Sequence, residues 1–107
     1  GLMEDNYLNE ERFAIQYAGG KFRIKHWGRV KIKYALKQKQ VSEYCIKKAL
    51  ASIPVNDYRK ALRKLFEQKL QALKGEKNIF IKKRKLQDHL IQKGFETALV
   101  SELISQV

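Results

Sequence analysis

Cysteine and histidine are scarce in this sequence, and their scarcity excludes several kinds of site. The chain has one cysteine, Cys45, and two histidines among 107 residues. A single cysteine cannot form an internal disulfide, and three such side chains are too few for a Cys/His zinc site. Cys45 lies on an apolar helical stripe, which indicates a buried structural thiol rather than a nucleophile. We therefore expect no bound metal and no cofactor.

Recognisable catalytic motifs and long apolar runs are also missing. The sequence contains no Ser-His-Asp set, no paired carboxylates and no phosphate-binding loop, so we expect no enzymatic activity. No apolar run approaches the roughly 20 residues that span a bilayer. The apolar pair Leu2-Met3 is followed at once by Glu4 and Asp5, which does not resemble a signal peptide. These absences predict a soluble, cytoplasmic protein.

Acidic residues are few, and one long stretch has none. The chain carries 23 Lys and Arg against 11 Asp and Glu, a net charge of +12. No acid occurs between Glu11 and Glu43. Most charge runs are solvated faces, but soluble surfaces usually mix both signs, so we interpret this stretch and a second basic run as binding surfaces for a polyanion or an acidic protein. The predicted contact residues are Lys21, Arg23, Lys25, Arg29, Lys31, Lys33, Lys82, Lys83, Arg84 and Lys85.

Three aromatic side chains accompany the first basic stretch. Aromatic residues in single-strand binders stack on bases, but a lone Trp beside a helix start more often anchors a core. We therefore predict a core position for Trp27 and a surface position for His26, and we leave both interpretations open for Phe22.

The apolar residues follow a helical period along nearly the whole chain. A first helix should begin at the N-cap Asn9 and end at Gly19-Gly20, because paired glycines favour a turn or a C-cap. The only competing strand pattern is a weak alternation at Phe22 and Ile24. The predicted helices cover about 9–20, 28–39, 42–53, 56–73, 81–93 and 96–106.

An internal repeat organises these helices. A shift of 54 positions places the third helix on the sixth, so that Cys45 meets Leu99 and Leu50 meets Ile104. The first and fourth helices correspond with a shift nearer 48. We therefore predict an all-α protein of two tandem three-helix repeats, which bury their apolar stripes against their neighbours. The predicted divisions are 1–8 as the remnant of a preceding helix or linker, 9–53 as the first repeat and 54–107 as the second.

The order and spacing of these patterns resemble the RecX family, bacterial regulators of the RecA recombinase. The resemblance rests on the segment 9–14 (NEERFA) and on a later run of residues in both repeats. Gln40 departs from the family pattern, which normally has Gly there, whereas the second repeat keeps Gly94. The other matching residues are Gly28, Ile32, Leu36, Lys39, Val41, Ser42, Ile46, Ala49, Leu50, Leu86, Leu90, Lys93, Phe95 and Val100.

The resemblance implies a non-enzymatic regulator of DNA repair, homologous recombination and the SOS response. RecX-like proteins bind along the groove of the RecA–DNA filament, suppress ATP hydrolysis and strand exchange, and limit filament growth. The chain would match the middle and C-terminal repeats of a three-repeat protein. The resemblance assigns no contact residues, so the basic residues named above rest on charge alone. We expect a monomer whose partner is the RecA filament, with single- or double-stranded DNA as a further ligand.

Two alternatives remain open. The chain could be a helical DNA-binding module that uses its second helix as a recognition helix. Lysine dominates that helix, however, and lysine contacts phosphate more readily than it reads bases. A basic helix lying on a membrane surface is disfavoured, because the apolar faces are needed for the core.

Overall fold

The predicted all-α fold is confirmed by a computed structural model, which describes the backbone of residues 2–107 and the side chains of residues 9–107. Within this part of the chain there is no β-strand. The molecule is an elongated rod with extents of 62 × 22 × 20 Å. Its elements are α1 (Leu2–Gly20), a π-helical turn (Lys21–Lys25), α2 (Arg29–Gln38), α3 (Glu43–Ala51), α4 (Val55–Ala72), α5 (Ile79–Gln92) and α6 (Thr97–Ile104).

The predicted start of the first helix is wrong. Helix α1 begins at Leu2, so Asn9 lies inside the helix and is not its N-cap. The next residue, Glu10, contacts α3 instead: its carboxylate accepts a hydrogen bond from the backbone N–H of Ser42. Ser42 is the N-cap of α3, so this contact ties α1 to the start of α3.

Helix α1 ends at Gly20 as predicted, but the turn or C-cap expected at Gly19-Gly20 is not formed. Gly20 has right-handed helical angles, and the chain continues into the π-helical turn. Ala14, Ala18 and Phe22 are all buried at a spacing of four residues. This continuous apolar stripe outweighs the roughly 1 kcal/mol that a helical glycine costs. The π-helical turn is what ends at His26, its C-cap, which adopts a left-handed conformation with φ of 58°.

The later helices begin close to their predicted positions. The Ser42 hydroxyl accepts the Cys45 N–H at 3.4 Å, and Pro54 precedes α4 as its N-cap. Asn78 caps α5, which starts two residues earlier than the sequence predicted. The Asn78 side-chain oxygen accepts two backbone N–H groups, an arrangement that satisfies donors left free at a helix start.

Equivalent Schellman turns end α2 and α5. In the first repeat, the N–H of Val41 donates to the carbonyl of Leu36, and in the second the N–H of Phe95 donates to Leu90. Each turn requires a left-handed residue, which is Gln40 with φ of 61° in the first repeat and Gly94 with φ of 96° in the second. The first repeat therefore keeps the turn geometry although Gln replaces Gly.

The two repeats differ in how closely their outer helices pack. In the first repeat, α1 and α3 meet through small buried side chains, namely Ala14, Ala18, Cys45 and Ala49. Small contact residues allow two helices to approach closely. The corresponding residues of the second repeat are larger, and a groove of about 260 Å³ lies between α4 and α6. These larger residues are Leu62, Phe66, Leu99 and Leu103.

The repeats meet where the start of α2 contacts the turn between α5 and α6, a contact that we call the inter-repeat joint. The N–H of Gly28 donates to the carbonyl of Lys93 at 2.7 Å, and the N–H of Val30 donates to Gly94 at 2.9 Å. The N–H of Arg29 donates to the Tyr58 hydroxyl at 2.9 Å. Because α2 has no side-chain N-cap, the second repeat satisfies the free donors at its start.

Two glycines allow the backbones to approach this closely. A Cβ on Gly28 would lie 2.3 Å from the carbonyl carbon of Gly94. A Cβ on Gly94 would lie 2.2 Å from the Cβ of Lys31. A side chain at either position would therefore push the repeats apart.

Side chains complete the joint around Tyr58, which is 1% exposed. Its hydroxyl donates to the carboxylate of Glu96, and its ring packs against Phe22 and Phe95. The Arg29 guanidinium carbon lies 4.1 Å from the centre of this ring, and Arg29 Nη1 lies 3.3 Å from Glu96 Oε2. Burial is the main cause that raises the pKa of Tyr58, so the hydroxyl keeps its proton and can donate.

We predict that Gln40→Gly stabilises the protein by about 0.5–1 kcal/mol, because glycine adopts a left-handed conformation without the penalty that Gln incurs. The larger entropy of glycine in the unfolded chain offsets part of this gain. Urea unfolding monitored by circular dichroism measures the change. Gly94→Ala in the second repeat should lose more stability than the turn alone explains, because its Cβ would also clash with Lys31. A loss of stability in Gln40→Gly would contradict the account of this turn.

We predict that Tyr58→Phe lowers the free energy of unfolding by about 1–3 kcal/mol. The change leaves the Arg29 N–H and one carboxylate oxygen of Glu96 without their partner at the joint. Tyr34→Phe is the matched control, since Tyr34 is 66% exposed and its hydroxyl should matter by less than about 0.5 kcal/mol. Equal unfolding curves for the two variants would show that the hydroxyl at the joint contributes nothing.

Candidate functional site

The basic residues of the first predicted run do not share one face. Residues two apart on a helix point about 200° apart, and α2 accordingly separates Lys31 from Lys33. Lys31 faces Trp27, whereas Lys33 lines a shallow groove between α2 and α3. Arg29 is engaged at the inter-repeat joint with Glu96, and its side chain is 28% exposed. The structure therefore divides the predicted set between three environments.

Trp27 forms the centre of the most compact part of this run. The ammonium groups of Lys21 and Lys31 lie 5.0 and 4.8 Å from the Trp27 ring. Trp27 also packs against the core and is half-buried, as expected of an anchor between helices. Phe22, whose position the sequence left open, is buried and belongs to the core, whereas His26 is exposed.

The remaining residues of the run lie on the π-helical turn. Arg23 and Lys25 are exposed, and among residues 9–107 neither forms an ion pair with a carboxylate. The Arg23 guanidinium lies beside Gly19, where a Cβ would come within 3.1 Å of it. Gly19 thus leaves room for Arg23 to fold back along α1.

The second repeat adds a cation that the sequence patterns did not assign to this region. Lys93 Nζ donates to the backbone carbonyl of Lys25 at 3.2 Å, across the inter-repeat joint. Only the tertiary contact brings these residues together, so no local signal could have revealed it. We call the resulting group the joint cluster, which consists of Lys21, Lys25, Lys31 and Lys93. Arg23 faces the other side of the π-helical turn, where it lines a groove with Pro54 and Asp57.

The second predicted run forms what we call the distal cluster, namely Lys82, Lys83, Arg84 and Lys85. It lies one turn inside α5 rather than at its first residues, because the helix begins at Ile79. The first turn of α5 therefore carries no cation, and a cation there would be unfavourable at the positive end of the helix dipole. Lys85 pairs with Glu76 at 3.4 Å. The pKa of the Glu76 carboxyl is held below its ordinary value, mainly by the hydrogen bond from the backbone N–H of Asn78 and secondly by the one from Lys85.

The two clusters lie at opposite ends of α5. Lys93 is at the joint, and the distal cluster lies about 12–17 Å from it along the helix axis. The first residue of α5, Ile79, is about 20 Å from Lys93. Helix α4 likewise starts beside the joint at Tyr58 and runs away from it. The start of α5 is therefore the end of the second repeat farthest from the joint.

Between the clusters, the pKa of His89 is lowered, first by burial and then by the charges of Lys69 and Lys93.

Residues 9–107 contain no group of three or more His, Cys, Asp or Glu side chains placed to hold a metal ion. Cys45 is buried and free, as predicted. None of the helices in the described residues is both long enough and apolar enough to pass through a membrane.

Comparisons with known proteins give matches in both repeats. Residues 9–50 match the family model described as RecX, second three-helix domain, and residues 56–104 match RecX, third three-helix domain. No solved structure matches the chain significantly.

Several curated proteins named "Regulatory protein RecX" are similar to the chain. The protein from Clostridium perfringens (strain 13) is 35% identical over 107 residues, which covers 99% of this chain and 50% of the relative. The one from Clostridium botulinum (strain Eklund 17B) is 29% identical over 106 residues, covering 98% and 49%. The one from Oceanobacillus iheyensis is 26% identical over 108 residues, covering 99% and 39%. The chain spans about half the length, or less, of these relatives.

The two family models match consecutive parts of the chain in the order of their domain numbers, and together they take in most of it. Each model matches one of the two three-helix units on either side of the inter-repeat joint. The chain therefore belongs to the RecX family.

Proposed function

We propose that this chain acts on the RecA recombinase, binding along the groove of the RecA–DNA filament and inhibiting ATP hydrolysis and filament growth. Membership of the RecX family supports a regulatory role of this kind. The shape and charge of the rod are the observation that supports binding in the filament groove. Two cationic clusters lie about 12–17 Å apart along α5 on a molecule 62 Å long.

Long-range electrostatic attraction would bring the protein to the filament. A net charge of +12 favours association with DNA phosphates and with acidic protein surfaces, and both kinds of contact weaken as salt rises. The exposed residues Arg23, Lys25 and Arg84 are the leading contacts in this proposal, since no carboxylate among residues 9–107 pairs with them. Arg29 would act indirectly, because its guanidinium holds the joint. The protein would act as a monomer in the cytoplasm.

A helical DNA-binding module remains the second candidate, and the position of α2 weighs against it. Recognition helices present their N-terminal residues to base edges in the major groove. The first residues of α2 are engaged by the second repeat, since Gly28 has no free space and Arg29 is paired with Glu96. Direct DNA binding would therefore have to use phosphate contacts rather than base reading by this helix.

ATP hydrolysis by a preformed RecA filament on single-stranded DNA, titrated with the chain, tests the proposal. Binding of the chain to the same DNA without RecA is measured at matched salt. Hydrolysis should fall at protein concentrations that leave bare DNA uncoated. Unchanged hydrolysis together with tight binding to bare DNA would reject the filament and favour the DNA-binding module.

We predict that the double variant Arg23→Glu/Lys25→Glu weakens inhibition by roughly tenfold or more at low salt, because two exposed attractive contacts become repulsive. The difference from the unmodified chain should shrink as salt increases. The inhibitor concentration that halves ATP hydrolysis is the measured quantity.

The double variant Lys60→Glu/Lys64→Glu carries the same charge change on exposed positions of α4, outside both clusters. It should retain most of the inhibition, and circular dichroism should show that both double variants are folded. Equal losses in the two variants would mean that net charge alone matters and that Arg23 and Lys25 have no special role.

A further inference from the structure

Three consecutive apolar residues are exposed at the start of α5. Ile79 is 43% exposed, Phe80 is 80% exposed and Ile81 is 44% exposed. Runs of exposed apolar residues are avoided on soluble surfaces unless they have a function. Phe80 is also the most exposed of the large hydrophobic side chains in the described part of the chain. We call these three residues the apolar tip.

The fold holds the apolar tip away from the core. Asn78 fixes the first turn, since its side-chain oxygen accepts the N–H groups of Phe80 and Ile81 at 3.0 and 3.3 Å. The buried stripe of α5 begins later, at Leu86 and Leu90. The first turn therefore projects beyond the packed part of the helix, at the end of the second repeat farthest from the inter-repeat joint.

Positive charge surrounds the apolar tip. Side chains on a helix lean towards its N-terminus, so the distal cluster leans towards the three apolar residues. The preceding loop adds Lys74 and Lys77, and its one acid, Glu76, is already paired with Lys85. The tip is thus an apolar projection with a cationic rim.

We propose that the apolar tip inserts into an apolar pocket of a protein partner whose rim carries carboxylates. This inference rests on the proposed function and assigns the contact to the protein component of the filament rather than to its DNA. Two of the three residues are aliphatic, and aliphatic side chains offer no ring to stack on a base. A membrane is disfavoured because the apolar stripe that continues along α5 is buried, which leaves too small an apolar face for interfacial binding.

The tip and its rim would act at different stages of binding. Charged rims mainly raise the rate of association and fix orientation. A central apolar or aromatic anchor in a dry pocket mainly slows dissociation. Phe80 should therefore carry affinity that does not depend on salt, whereas Lys82, Lys83 and Arg84 should carry the salt-dependent part.

Binding kinetics of Phe80→Ala test the proposal. The chain is passed over immobilised cognate RecA filament on single-stranded DNA, and separately over the same DNA without RecA, at several salt concentrations. We expect at least a tenfold higher Kd for the filament, mostly from faster dissociation and with an unchanged salt slope. Binding to bare DNA should not change. Tyr34→Ala is the matched control, because Tyr34 is an aromatic residue 66% exposed in the first repeat, and it should bind like the unmodified chain.

Each other outcome identifies what fails. If Phe80→Ala binds the filament as the unmodified chain does, the apolar anchor is rejected and the proposed function stands. If it loses as much affinity for bare DNA as for the filament, Phe80 stacks on bases and a protein pocket is rejected. If the unmodified chain does not bind the filament, the proposed function and the inference that rests on it both fail.

Discussion

The free backbone donors at the start of α2 are the constraint on which the arrangement of this molecule depends. A helix start leaves several N–H groups without partners, and in most helices a side-chain cap or water satisfies them. Helix α2 begins after Gly28 with no side-chain cap, and the carbonyls of Lys93 and Gly94 in the other repeat accept its N–H groups instead. The same contact satisfies carbonyls at the end of α5. Each repeat therefore completes a helix of the other, which fixes their relative orientation.

This joint also has to resist the charge of the molecule. A net charge of +12 on 107 residues opposes compaction. At the joint, one acid, Glu96, accepts a hydrogen bond from the Tyr58 hydroxyl and forms an ion pair with Arg29. Backbone hydrogen bonds and the buried rings of Tyr58 and Phe95 supply contacts that salt does not screen. The cations at the surface can thus stay unpaired without separating the repeats.

Helical periodicity and repetition predicted most of the fold, because each is a local or a self-similar signal. The later helices have apolar stripes and capping residues, such as Ser42 and Gly94, that act within a few residues. The turn predicted at Gly19 and Gly20 is not formed, because the preference of glycine for a turn is weaker than the stabilisation gained by burying the apolar stripe that ends at Phe22. The stripe stabilises the helix only when another helix covers it, and the local sequence does not show which helix that is.

The candidate site was less predictable, for a related reason. Within the acid-free stretch, Arg29 looks like its basic neighbours, and only the fold pairs it with Glu96, 67 positions away. Lys93 joins the cluster through another long-range contact, a hydrogen bond from its ammonium group to the backbone carbonyl of Lys25. Charge in a sequence identifies the residues that can bind an anion. The tertiary structure decides which of them are already engaged.

The rigidity of the joint bears directly on how two clusters could act together. When two contacts are held at a fixed separation, the second forms at a high effective concentration once the first has formed, provided that the spacing matches the partner. The helix α5 sets the separation of the clusters at about 12–17 Å. Gly28 and Gly94 leave no space for a side chain between the repeats, so the joint holds the first repeat's cations against that helix. A flexible linker would lose part of this advantage to the entropy of ordering the repeats on the partner. The inter-repeat joint thus connects the packing of two small modules to the proposed binding of an extended, repeating partner.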